Sequence, residues 1–460
     1  MSISLKVKVG LEVHCQLNFL SSKLFCSCSI NSQDAAVNEN SCPVCRGLPG
    51  SLPDLNGDAI KKGLMLGKAL KMTQVKELYF SRKHYFYPDL PKSFQITQTD
   101  GVIGKEGILP VKTSLIPIKQ IQLEEDPAKI NYTEEGKIID YNRSGTPLIE
   151  LVTDPVFTNE SEIKSFLKQY RRLLELLKIS DTKKESAFRV DLNISVGKHP
   201  RVEVKNIGSD TEIINAFLYE SKRQINEHNE QDILIETRHW DPKLQISIKS
   251  REKESAIDYM YIPEFDIPRI QLPNSFSQEL VLPELPWEAE ERISKLYELS
   301  NNEIQMLLDD KTLLNFYEKL ISYFSQEKKI MSQIFWREFL EWYNSNNNEY
   351  IGRLLNIPLI ELKTFLEALQ NDKISFNLFK KSLKKYITKN DFLKLPESEN
   401  MEIFSNEKIF SKLQEKFPEI WIKSFENPNL LNYLVGQGVK LAKGKINPKK
   451  LLVILKERKK

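Results

Sequence analysis

Between residues 263 and 286 the chain carries a run of prolines, IPEFDIPRIQLPN…LPELP, and the patterning differs on its two sides. Before it, stretches of apolar residues alternate with polar ones, the period of a strand with one buried face. From about residue 287 the apolar positions recur at helical spacing and glycine is scarce. Proline removes a backbone donor and disfavours helix at the residue before it, so this run marks an exit from one body and an entry into another. The fold class this predicts is α+β: an antiparallel-sheet-rich domain first, helices after it. A length of 460 residues suits about three domains at roughly 150 residues each. We expect them at 1–290, 291–395 and 396–460, the last a small helical unit.

Within the first body the sequence predicts short helices over residues 56–71, 160–178 and about 210–228. The second, ESEIKSFLKQYRRLLELLK, has acids in its first turn and a basic end. Residues 75–155 and 187–207 read as strands between turn signals. Mean hydropathy is negative, and no apolar run reaches about 18 residues, which argues against a membrane span. The start, MSISLKVKVGLEVH, alternates like a strand and shows no secretory or transit pattern. That favours the cytoplasm and leaves a trimmed organellar form open. A net charge of only +3 excludes a uniformly basic nucleic-acid coat, although the end, KLAKGKINPKKLLVILKERKK, is lysine-rich. A solvated helix face explains those lysines as well as a nucleic-acid contact does.

Chemistry concentrates in a few places. Residues 119–154 set Glu124, Glu125 and Asp126 at the end of a strand-like alternation. Asp140, Arg143 and Glu150 follow, with Gly145 and Pro147 bending the chain between them. Acids gathered beside tight turns suit a hard cation such as Mg²⁺, which takes oxygen ligands; a solvated acidic hairpin is the plainer explanation. In GLEVH, Glu12 and His14 stand two apart on a strand and so share a face. Asp191 and Asn193 in VDLNISV, and Glu203 and Lys205 in VEVKN, repeat that spacing. A sheet surface lined with acids, amides and a few bases suits a metal–nucleotide reaction. Neither G-x-x-x-x-G-K-[ST] nor G-x-G-x-x-G occurs, so a nucleotide here is not held by the common phosphate loops.

All five cysteines lie in the first 45 residues. Cys26, Cys28, Cys42 and Cys45 read C-x-C-x13-C-x2-C, two close thiolate pairs that suit a closed, structural tetrahedral Zn²⁺ site. Buried, redox-inert thiols are the alternative. Cys15 falls outside the pattern and receives no ligand role. A disulfide framework is not expected, because nothing in the chain looks secreted.

Taken together, VGLEVHCQL, SKLFCSCS, CPVCRGLPGSLPDLN, SRKHYFYPDLPKSFQITQ, QLEEDPAK, DYNRSGTPLIELVTDP, FRVDLNISV, RVEVKNIGS and DYMYIPEFDIP resemble the kinase–transamidase subunits of the tRNA-dependent amidotransferases, the GatB/GatE family. LVGQGVKLAKGKINP is similar to that family's tail. The resemblance runs over residues 7 to about 268 and again over about 429–450. It implies a cradle-shaped catalytic domain, a helical domain and a tRNA-gripping tail. It further implies ATP- and Mg²⁺-dependent phosphorylation of the side-chain carboxylate of a misacylated Asp-tRNA(Asn) or Glu-tRNA(Gln). Ammonia, made from glutamine by a partner amidase, then displaces the phosphate, and a small third polypeptide wraps the pair into a heterotrimer.

Carried onto this chain, the resemblance makes Glu12, His14, Glu125 and Glu150, with Glu124, the metal and catalytic candidates. Asp191, Asn193 and Glu203 come second, and Arg143 and Lys205 would contact phosphate or the aminoacyl end. Tyr85, Tyr87, Pro88, Asp89 and Lys92 would shape the pocket or the ammonia route, with core packing the plain alternative for the aromatics. Two rival readings are a non-catalytic tRNA-binding scaffold and a stand-alone zinc-stapled enzyme acting on a small molecule. The choice between Asp-tRNA and Glu-tRNA is not legible. Replacing Cys42→Ser is expected to lower the melting temperature and abolish bound zinc. Unchanged metal content with normal melting would remove the cysteines from the ligand set.

Overall fold

The structure, a computed structural model, describes residues 6–31, 35–134, 136–227, 235–252, 259–273, 279–345, 347–371, 374–391, 406–424, 427–441 and 448–457. It forms two compact units, Met1–Asp309 and Asp310–Lys460. The first is built on a nine-stranded sheet. Across the sheet the strands run Ile246–Glu252, Glu236–Asp241, Val202–Ile207, Phe188–Val196, Val7–Gln16, Pro147–Thr153, Ser114–Glu125, Gly104–Val111 and Thr73–Gln74. Neighbours pair antiparallel except Val202–Ile207 with Glu236–Asp241, which are parallel and joined through the helix Asp210–Asn226. The α+β class follows directly from the patterning.

The central strand Val7–Gln16 shows why the sheet has two unlike faces. Val9, Leu11, Val13 and Cys15 are fully buried. Lys8, Glu12, His14 and Gln16, at the alternate positions, point the other way. The apolar face packs under the helices Gly57–Ala69, Glu160–Leu176 and Asp210–Asn226, through Leu64, Phe166, Tyr170, Leu173 and Ile213 among others. Each helix starts on a side-chain cap. Asn56 accepts from the Asp58 and Ala59 amides, Asn159 from Glu162 and Ser209 from Glu212. The helices appear where the periodicity puts them, each two or three residues shorter.

Smaller pieces complete this unit, one of them the short pair Glu77–Leu78 with Ile270–Gln271. Strands Ser81–His84, Phe94–Thr97 and Met260–Pro263 form a three-stranded sheet. Lys129–Thr133 and Gly136–Asp140 form an exposed hairpin. The helices Pro286–Leu296 and Asn301–Asp309 belong to this unit, beyond the expected limit at residue 290. The Arg172 guanidinium reaches the Asp309 carboxylate and the Gln305 carbonyl, and the Gln305 amide donates to Glu290 at 2.8 Å, which ties both helices to Glu160–Leu176.

The second unit is helical throughout its described residues. Its C-terminal part has a core of its own: Ile409, Phe410, Leu413, Leu431, Leu434, Val435, Leu451 and Leu455. Gly438 lets the helix Pro428–Leu441 approach Leu451, for a Cβ there would lie 2.6 Å from the leucine methyl. The expected boundary at 395/396, part of the LVGQGVKLAKGKINP stretch and the last three residues lie outside the described residues. No helix among the described residues is long and apolar enough to cross a membrane.

The assignment of faces predicts contrasting truncations. Leu11→Ala should cost about 2–5 kcal/mol in denaturant unfolding because it opens a cavity in the core. Leu115→Ala, at an exposed position, should stay within about 0.5 kcal/mol of the parent.

Candidate active site and metal centres

Strand register assembles the open face of the sheet. His14 lies opposite Glu150 on one side and Arg189 on the other, and Leu148 lies opposite Glu124. His14 Nε2 is therefore 3.5 Å from a Glu124 oxygen and 3.7 Å from a Glu150 oxygen. Glu12 lies opposite Asp191, and Asn193 opposite Glu203. Two adjoining groups result, His14–Glu124–Glu150 and Glu12–Asp191–Glu203, and within each the ligand atoms lie within 4.8 Å of one another.

Fixed donors hold these carboxylates in place. The Asn193 amide donates to Glu12 at 2.8 Å, and the Gln122 amide to Glu150 at 2.9 Å. Thr97 donates to Glu124, and Thr237 to Glu203. Lys205 Nζ sits 2.8 Å from Glu203 and 3.6 Å from Asp191. Asn193 Oδ1 is buried and accepts no hydrogen bond from any described residue. Buried acids this close resist common ionisation. Burial first, then Glu124, push the Glu150 carboxyl up to about 7 against the pull of His14. Burial opposes protonation of His14, but Glu150, Glu124 and Asp191 outweigh it and raise its pKa. Burial likewise opposes the Lys205 charge, and Asp191 and Glu203 override it to raise the ammonium pKa. A divalent cation would offset the crowded carboxylates, with the His14 imidazole deprotonated to join it, and the orphaned Asn193 oxygen offers a further neutral donor. The residues present therefore fit a hard metal ion.

A cleft of about 170 Å³ opens against this face, lined by His14, Glu124, Asp191 and Lys205 together with Lys83, Tyr85, Gln95 and Arg189. Lys83 and Arg189 are not among the residues the sequence singles out. Arg189 shares the alternation of Asp191 and Asn193, so its place on this face was legible in FRVDLN. Lys83 comes from the separate three-stranded sheet, where its ammonium also lies over the Tyr259 ring at 4.8 Å. No local pattern points to it.

Glu125 requires a correction. It follows Glu124 by one position and so faces away from the His14 group. Its carboxylate takes Lys92 Nζ at 2.5 and 2.7 Å and the Ile96 amide at 2.9 Å. Glu124 occupies the place expected for Glu125. Arg143 is also used otherwise than expected, because its guanidinium donates to the Pro127 and Ala128 carbonyls at 3.0 and 2.9 Å and clamps the turn. Asp126, fully buried, accepts from Gln16 at 2.9 Å and from Arg189 at 3.0 Å. Burial opposes its charge, but Arg189 and Arg143 hold its carboxyl below the usual range. Asp126 thus fixes the arginine that lines the cleft. Tyr87 and Pro88 are exposed, and Asp89 is half-buried with its carbonyl on the Ala128 amide.

Cys26, Cys28, Cys42 and Cys45 converge, their sulfurs within 4.8 Å of one another. The Cys42–Cys45 separation of 3.9 Å is close to the roughly 3.8 Å edge of a tetrahedron with 2.3 Å metal–sulfur bonds. The Cys45 thiol is held down to about 4, by Cys26 first and, against burial, by the Cys42 amide and Lys23. These four residues form a cluster that can hold a metal. Cys15 lies apart in the core, its thiol pushed up to about 12 by burial.

The family model described as the GatB/GatE catalytic domain matches residues 7–278, and a second, described as a GatB domain, matches 315–458. This chain belongs to the GatB/GatE family. Among curated GatB relatives, the aspartyl/glutamyl-tRNA(Asn/Gln) amidotransferase B subunit of Saccharolobus solfataricus is 36% identical over 98% of this chain and 99% of its own length. The protein of that name from Mycoplasmopsis agalactiae is 35% identical over 98% of each. That of Methanospirillum hungatei is 42% identical over 69% of each.

The two adjacent glutamates should behave oppositely. Glu124→Gln should weaken Mg²⁺ binding, measured by calorimetry, by at least about tenfold, while melting stays level or rises because repulsion is relieved. Glu125→Gln should leave Mg²⁺ affinity unchanged but cost about 3 kcal/mol, since it strands Lys92 without its partner.

Proposed function

We propose that this chain is the transamidating GatB component of a tRNA-dependent amidotransferase, a ligase that forms a carbon–nitrogen bond at the expense of ATP. The observation that carries this reading is the pair of acidic groups on one sheet face, flanked by Lys83, Arg189 and Lys205. In this proposal the misacylated Asp-tRNA(Asn) or Glu-tRNA(Gln) presents its side-chain carboxylate to the cleft. A carboxylate oxygen attacks the γ-phosphorus of ATP and ADP leaves. Ammonia then attacks the carbonyl carbon of the acyl phosphate, phosphate departs, and the amide remains. Neither step needs a protein nucleophile; both need placement and charge neutralisation.

His14, Glu124 and Glu150 would hold one Mg²⁺, and Glu12, Asp191 and Glu203, with Asn193, a second. Bound there, Mg²⁺ supplies positive charge toward the transferred phosphoryl group. Lys205 and Arg189 orient anionic oxygens, and Asp126 keeps Arg189 in position. Lys83 and Tyr85 line the approach, where a cation limits which amine forms can pass. We read the four cysteines as a structural zinc site that orders a Gly/Pro-rich segment too poor in apolar residues to order itself.

The same reading takes residues 1–290 as the cradle, 291–395 as a helical domain and 396–460 as the tail that grips tRNA. Ammonia would come from glutamine in a separate amidase, with a small third polypeptide completing a heterotrimer. The place of work would be the cytoplasm.

The decisive measurement is ATP hydrolysis by the chain reconstituted with both partners, with Asp-tRNA(Asn) and Glu-tRNA(Gln) offered separately. Turnover that depends on one charged tRNA is the expected result and names the substrate. Tight tRNA binding without turnover on either would overturn the catalytic reading in favour of a scaffold.

A further inference from the structure

Lys23 is fully buried in the first unit. Its Nζ donates to the Asn40 carbonyl at 2.9 Å, to Cys45 Sγ at 3.4 Å and to the Tyr141 carbonyl at 3.0 Å. An ammonium has three N–H donors and no acceptor, and here all three donors are spent, one on each partner. A neutral amine would turn a lone pair toward one of them. A buried ammonium is costly unless paired, and the ionisable group it meets among these three partners is the Cys45 sulfur.

The three partners belong to different segments. Asn40 lies in the loop between the cysteine pairs, Cys45 in the second pair, and Tyr141 in the turn after the exposed hairpin. Further bonds run the same way. Ser144 donates to the Cys45 carbonyl at 2.9 Å, and the Leu24 amide donates to the Gly145 carbonyl at 2.9 Å. Gly145 has φ +82°, and a Cβ there would come within 3.5 Å of the Lys23 stem and 3.7 Å of Cys45. From this turn the path continues into the cleft. The Gly145 amide donates to the Asp126 carbonyl and the Asp126 amide to the Thr146 carbonyl, and the Asp126 carboxylate holds Arg189.

We infer that Lys23 is a positioning residue for the four-cysteine centre: its ammonium offsets negative charge left by four thiolates around a zinc ion and fastens that centre to the Tyr141–Thr146 turn. Four thiolates and one Zn²⁺ carry a net charge of −2, and a buried cation hydrogen-bonded to one sulfur lowers that excess where water cannot. Removing a partner in this outer position typically weakens a metal site by about 10–100-fold. The inference rests on the zinc reading above.

The test uses the full chain with Lys23→Met, which keeps the length without donors, and Lys23→Gln, which keeps a neutral donor. Zinc transfer to excess chelator should be at least about tenfold faster in Lys23→Met, with Lys23→Gln in between. In the Co²⁺-loaded proteins the sulfur-to-cobalt charge-transfer band should move to longer wavelength in Lys23→Met, because a thiolate without its hydrogen bond gives up an electron more easily. A role confined to filling space leaves that band in place. In the unsubstituted chain labelled with ¹⁵N-lysine, a slowly exchanging ammonium resonance should be present and should shift when Cd²⁺ replaces Zn²⁺. An unmoved band with an unchanged release rate overturns the inference. So does the absence of that ammonium signal in zinc-loaded protein, whether or not the variants fold. If the unsubstituted chain holds no zinc, the metal reading itself fails; if it holds zinc and the variants match it, only the role of Lys23 does.

Discussion

Everything in the first unit depends on the register of one strand. Val7–Gln16 is paired on both sides by antiparallel neighbours, and its odd and even residues serve unrelated purposes. The odd positions carry apolar burial and the even ones carry chemistry. A slip by one residue would exchange the two sets completely. The core that anchors Val9, Leu11, Val13 and Cys15 therefore also fixes Glu12 and His14, and through pairing fixes Glu150, Asp191 and Arg189 opposite them. The stability of the sheet and the geometry of the proposed metal groups have one cause.

Around that sheet, buried charge is used as a set of fasteners. Asp126 links Gln16, Arg189 and the turn held by Arg143. Glu125 takes Lys92, and the ammonium of Lys23 meets the sulfur of Cys45. Each pair is sheltered from water, so each loses little to screening, and each would leave a costly orphan if cut. Most residues that face the cleft stand on strands, Tyr85 just beyond the end of one, and these fasteners set the turns between the strands.

Much of this was legible in the chain. The i, i+2 spacing of Glu12 with His14, of Asp191 with Asn193 and of Glu203 with Lys205 announces a shared face, because side-chain direction on a strand is a local property. The cysteine spacing announced a cluster for a similar reason. What escaped was non-local. Whether Glu124 or Glu125 faces His14 depends on pairing with Pro147–Thr153, which no stretch of sequence displays. Lys83 reaches the cleft from another sheet. The prolines over 263–286 mark where the sheet-rich patterning stops, yet the compact unit continues to Asp309, because Arg172 binds the helix Asn301–Asp309 across more than a hundred residues of sequence and Gln305 on that helix holds Pro286–Leu296 through Glu290.

The central strand also imposes an order of events. It is the first strand of the sheet to be synthesised, yet its two neighbours begin at Pro147 and Phe188. At about 5–20 residues per second, the ribosome needs roughly ten to forty seconds to deliver the second of them. Until Pro147–Thr153 is made VKVGLEVHCQ has no sheet partner on either side, and until Phe188–Val196 follows it keeps one open edge, the kind of segment that seeks any strand within reach. The architecture that makes the middle of the sheet so firmly placed in the finished protein thus makes the same ten residues its most exposed hazard during translation.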